Sequence, residues 1–133
     1  MIPPGEDELA HHLTLQASAA AAVGVARVWL DSHPAEEAAG ALDFLEPLTV
    51  HQLVAVIGIL GEHAEKGAVL ALAIASHFEL VTSVREKAIF VLSAFARGEG
   101  LAAAVARHGL GELAGDPEVG AAAAAALASL SAD

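Results

Sequence analysis

Val84, Ala88, Val91, Leu92 and Phe95 follow one another at i, i+4, i+7, i+8 and i+11, the stripe of an amphipathic helix packed on a core. Glu86, Phe90, Ser93 and Arg97 fall on a second side of the same helix and set an aromatic ring among polar groups. Similar segments recur. "TVHQLVAVIGIL", "SVREKAIFVLSAFA" and "DPEVGAAAAAALASL" each place a small or branched apolar residue early and a Leu-rich or Phe-bearing end later. Between them lie "EKGAVLALAIASHFEL" and "GEGLAAAVARHGLGELA", helical in composition. Alternating Val, Thr and Tyr segments of the kind that mark strands are missing, so the pattern predicts an all-α chain.

Helix starts are marked by residues whose side chains satisfy the first free amides. Thr49-x-x-Gln52 and Ser83-x-x-Glu86 have the capping-box form, and Asp116 precedes Pro117 and Glu118, where proline suits the first helical position. These starts lie 34 and 33 residues apart. A period of that length marks helical arrays whose units bury their apolar sides on one another. Upstream, "EDELAHHLTLQASAAAAVGVARVWL" reads as one long or broken helix ending near Asp31, and "HPAEEAAGALDFLEP" as a shorter one between Pro34 and Pro47. The expectation is a single domain over 1–133: a short right-handed repeat array, with 1–47 as an N-terminal cap and 48–133 as about two and a half repeats. In the cap, acidic residues should supply a polar outer side. A compact helical bundle is the alternative.

Composition narrows the function. At 133 residues the chain can bury one sizeable core, and 56% hydrophobic residues exclude disorder. With no Cys there is no disulfide, thiol nucleophile or thiolate zinc site, which suits a reducing cytoplasm. "MIPPGEDELAHH" lacks the basic start and apolar run of a secretion signal. "GAVLALAIASHFELV" is interrupted by His77 and Glu79 and is shorter than the roughly 20 residues that cross a bilayer, so it reads as buried core. The net charge is -11, and residues 1–66 supply -8 of it, so a phosphate backbone would be repelled. Nucleic acid and membrane are therefore not expected partners.

The cations are unevenly placed. Arg85, Lys87, Arg97 and Arg107, four of the six Lys and Arg, lie within 83–113. Arg85 and Lys87 fall in the first turn of their helix, where the macrodipole disfavours positive charge, so salt bridges to the acid-rich preceding unit or an acidic partner must explain them.

Histidines suggest a second kind of chemistry. Glu8-x-x-His11 has helical ligand spacing but no second copy, which a di-iron bundle requires. Glu62, His63 and Glu65, with His77 on the next segment, form the candidate set for a small all-α enzyme or metal binder. No phosphate loop, Gly-x-Ser-x-Gly elbow or His-Glu-x-x-His helix occurs, and no cofactor or metal is expected. The Ala run 121–126 permits close helix approach, as a packed terminal helix or a seam for homo-oligomerisation.

Two segments carry a family resemblance. "GDPEVGAAAAAALASL" resembles the second-helix segment of a HEAT repeat, and "SVREKAIFVLSAFAR" is similar to the last helix of an armadillo unit. The latter is most similar to armadillo-type nucleotide-exchange factors of the large heat-shock chaperone ATPases, through Val84, Arg85, Lys87, Ala88, Ile89, Phe90, Leu92, Ser93 and Arg97. Ile57-Gly58 resembles the preceding unit, and the short interval from Ile57 to Val84 leans toward the two-helix HEAT form. The resemblance covers 49–131 and implies an array whose last helices line a concave, protein-binding side. The expected function is a non-enzymatic module or adaptor for a protein or peptide. Its binding surface would be Arg85, Glu86, Lys87, Phe90, Ser93 and Arg97.

Overall fold

Thr49 opens a helix in the manner its spacing predicts. Its Oγ1 accepts from the Gln52 amide at 3.2 Å, and Gln52 Oε1 accepts from the Thr49 amide at 2.9 Å, completing a reciprocal box. The computed structural model describes residues 4–77 and 79–131, and the side chains of 18–77 and 79–130. It is all-helical, with seven α-helices and no strand among the described residues. They are α1 (Pro4–Ser32), α2 (Leu42–Leu45), α3 (Val50–Ile57), α4 (Ala64–Ser76), α5 (Thr82–Ala96), α6 (Leu101–Leu113) and α7 (Gly120–Ser131). Short 3-10 helices at Ala35–Ala41 and Leu60–His63 precede α2 and α4.

The other two expected caps fare differently. Ser83 does not cap α5, because the chain turns from extended to helical backbone at Val81 and the helix begins at Thr82. Asp116 does cap: its Oδ1 accepts from the Glu118 and Val119 amides at 2.7 and 3.0 Å, and its carbonyl accepts from Gly120. Residues 117–119 thereby form the turn that leads into α7.

Upstream, α1 runs unbroken to Ser32, and "HPAEEAAGALDFLEP" divides into the Ala35–Ala41 turn and the brief α2. Of the acids in the 1–47 region, Asp31, Glu36, Glu37, Asp43 and Glu46 are exposed, while Ala20, Ala21, Gly24, Val25 and Val28 leave an uncharged exposed stretch on α1.

Two rows of helices enclose the core. In one row α1 packs on α3, α3 on α5, and α5 on α7; in the other, α4 packs on the Ala35–Ala41 turn, on α2 and on α6. Fully buried side chains from both rows, among them Leu30, Leu45, Val56, Leu70, Ile74, Leu92, Leu110 and Val119, join in one continuous cluster. The apolar run at the centre of the chain becomes α4, with Leu70, Ala71, Ile74 and Ala75 in that cluster. No helix among the described residues is long and apolar enough to cross a membrane.

One close approach sets the entry to α4. A Cβ on Gly67 would lie 1.9 Å from the Leu60 carbonyl oxygen, a backbone atom that cannot rotate away. Gly67→Ala should therefore push α4 off the Leu60–His63 turn and cost about 1–3 kcal/mol in chemical unfolding. An unchanged unfolding midpoint would show that the two segments are not held this tightly.

Candidate functional site

Helix α5 presents one side to the core and another to solvent. Val84, Ala88, Ile89 and Leu92 are buried, while Phe90 stays 76% exposed, the highest value for a large apolar side chain among the described residues. Phe90 stands beside a groove between α3 and α5, about 700 Å³ in volume, lined by Val54, Ile57, Gly58, Ser83, Glu86, Lys87, Phe90 and Val91. The groove continues along Ile57, Gly58, Gly61, Phe90, Val91, Ala94 and Phe95. Gly58 and Gly61, without side chains, leave the α3 side of this passage open. Its chemistry is an apolar trough with one cation and one carboxylate on its edge, suited to an apolar anchor flanked by charge.

The six residues expected at a binding surface separate into three groups. Glu86, Lys87 and Phe90 come together on the groove. Ser93 is half-buried and does not line it, and Arg97, beyond the end of α5, turns toward α7 and donates to Ser129 Oγ at 3.2 Å. Arg85 is not a surface residue at all. It is fully buried: Nε donates to the Ala75 carbonyl at 2.8 Å, Nη2 to Asp116 at 2.5 Å and Nη1 to Glu118 at 3.1 Å. Salt bridges do explain it, but they reach forward to the following unit rather than back to the acid-rich first half.

Asp116 answers two elements at once. The Val119 amide foremost, then the Arg85 guanidinium and the Glu118 amide, hold its carboxyl below the ordinary 3.8. Since the unfolded chain then takes up this proton first as pH falls, the contribution is complete above about pH 4 and is lost as acidification passes through the folded-state value.

The remaining cations are also occupied, except one. Arg27 pairs with Glu62 at 2.7 Å, Lys66 donates to the Leu30 carbonyl at 2.6 Å, and Arg107 donates to the Ala96 and Gly98 carbonyls at 2.9 and 3.2 Å. Lys87 is exposed and has no hydrogen-bond or ion-pair partner among the described residues. The one Lys or Arg without such a partner among the described residues therefore borders the groove.

The histidine set does not converge. His63 and His77 flank the two ends of α4, whose 13 residues hold them on the order of 20 Å apart. His77 instead lies 2.6 Å from Glu46, and ligand atoms of Glu46, His77 and Glu79 fall within 4.8 Å of one another. Glu79 is two residues from His77 in sequence, whereas Glu46 follows α2 and is brought to His77 by the packing of α2 on α4. One imidazole and two carboxylates can coordinate a divalent ion. They serve equally as an exposed charge cluster. Glu8 and His11 lie outside the described side chains.

Compared with known proteins, the chain matches no family model, no curated protein and no solved structure.

Three expectations follow. Arg85→Ala removes a large side chain from a fully buried position and orphans the Ala75 carbonyl, at about 2–5 kcal/mol. Arg85→Lys should recover only part of this, since one ammonium cannot replace the guanidinium fork toward three acceptors. With Asp116→Asn, the loss of stability as the pH falls below about 4 should become shallower than in the wild type, measured by urea unfolding; parallel acid limbs would contradict the tie. Thermal unfolding with and without chelator should give one midpoint, and a fall above about 5 °C, roughly 1 kcal/mol, would assign a structural ion to the Glu46, His77 and Glu79 cluster.

Proposed function

We propose that this chain is a non-enzymatic, protein-binding helical-repeat module of armadillo or HEAT type, and that the groove between α3 and α5 is its binding surface. Phe90 carries the reading. An aromatic ring left three-quarters exposed beside an apolar groove has no structural use where it stands, and exposed aromatics bordered by charge are the anchors of protein interfaces. The array reading is supported by the order of packing, in which alternate helices touch in sequence along one row. Glu86 and Lys87 set one charge of each sign on the groove's edge, and the partner that fits is an apolar segment with an acidic residue placed to meet Lys87. A role as a chaperone co-factor promoting nucleotide exchange is the narrower form. It rests on the likeness of "VREKAIFVLSAFAR", in which Val84, Arg85, Ala88, Ile89 and Leu92 are buried and only part of the motif remains on the surface.

Phe90→Ala should leave unfolding free energy within about 0.5 kcal/mol, while partner affinity falls by about 2 kcal/mol or more. Leu101, also exposed but outside the groove, provides the control substitution Leu101→Ala. Proteins from the source cell retained on immobilised wild type and on the control, and lost from the Phe90→Ala column, would bear out the site. Equal retention on all three would remove it. The narrower form is checked by release of labelled ADP from a heat-shock chaperone ATPase, which the wild type should accelerate and Phe90→Ala should not.

A further inference from the structure

We propose that copies of this chain associate head to tail, with the outer side of α7 in one copy seated on the outer side of α1 in the next. Both helices are end members of the α1, α3, α5, α7 row: α1 packs on α3 and on the Ala35–Ala41 turn, and α7 packs on α5 and on α6. A helix that is apolar all round belongs in an interior. Yet α7 contains no charged residue and leaves Ala121, Ala124, Ala125 and Ala128 exposed. On α1, Val25 and Val28 are 53% and 67% exposed and line a groove of about 660 Å³ beside Trp29 and Phe44. That groove runs on past Ala21 toward Leu48, so the open stretch extends for several helical turns.

Charge selects the occupant. The net charge is -11, so two copies repel wherever their acidic surfaces face each other. The exposed positions Ala20, Ala21, Gly24, Val25 and Val28 of α1 are uncharged, with Asp31 at the end of that stretch, and α7 carries no carboxylate of its own, so this pairing brings two copies together without opposing carboxylates. Shape agrees with it. A row of alanines permits the close approach that lets Val25 and Val28 fill the space between the helices. Joining α7 to the next α1 also continues a row in which α1, α3, α5 and α7 already follow one another, so the contact is heterologous and propagates into a ring or a chain. The proposal depends on that row order and is independent of the groove beside Phe90.

Analytical ultracentrifugation of the whole protein from micromolar to millimolar concentration tests it, with circular dichroism to verify folding. The wild-type mass should rise with concentration beyond one chain. Val28→Glu and Ala124→Glu, both at exposed positions, should each be folded and monomeric; Val25→Glu and Ala125→Glu stand in if either fails to fold. An equimolar mixture of the two monomeric variants should restore a two-chain species and nothing larger, because one blocked end remains on each partner. A wild type that stays monomeric throughout overturns the proposal. So does self-association of Ala124→Glu alone, which would mean α1 meets α1, or of Val28→Glu alone, which would mean α7 meets α7.

Discussion

A fold made of short helices has many helix ends, and every C-terminal end leaves carbonyl groups without a partner inside the helix. Here basic side chains from later helices fill that need. Lys66 of α4 donates to Leu30 at the end of α1, Arg85 of α5 to Ala75 at the end of α4, and Arg107 of α6 to Ala96 at the end of α5. Each bond places a cation on the negative end of a helix dipole and uses a charged donor, an arrangement worth more than a neutral bond. Three of the six Lys and Arg are spent this way. Two of the four cations within 83–113, Arg85 and Arg107, are thus placed by helix termination in the second half of the chain.

Arg85 does more than terminate a helix. Its buried guanidinium reaches Asp116, and Asp116 caps the turn that starts α7, so a single side chain connects the end of α4, the first turn of α5 and the start of α7. Burying one guanidinium without partners would be costly; with three acceptors it becomes a fixed point that only one relative placement of these helices satisfies.

The features legible in the sequence were those set by neighbours along the chain. Thr49 and Gln52 are three residues apart and meet by helical geometry alone, and Asp116 meets the Glu118 and Val119 amides for the same local reason. The exposed side of Phe90 followed from the 3.6-residue period. Features set by distant neighbours were not legible. Arg85 reads as a surface cation until α4 and the Asp116 turn close over it from positions ten residues before and 31 residues after. Ser83 lost its capping role to Val81 because where the chain leaves extended backbone is decided by the loop that precedes it. Glu46 meets His77 through helix packing, which no spacing records. The uncovered apolar stretch of α1 is not legible for a different reason: composition alone cannot distinguish a helix that is buried all round from one whose second side is left uncovered.

The buried cation and the exposed ring are linked through one helix. Successive residues turn by about 100°, so Glu86 and Phe90, one and five places after Arg85, point about 100° and 140° away from it. Anchoring Arg85 inward therefore fixes the rotation of α5, and with it the direction in which Glu86 and Phe90 face the groove beside α3. Lys87 adds a charge to that side because its near neighbour in sequence has taken the inward position. Of the cations in this segment, Arg85 thus holds the helix in place and Lys87 is left by that same placement at the groove's edge.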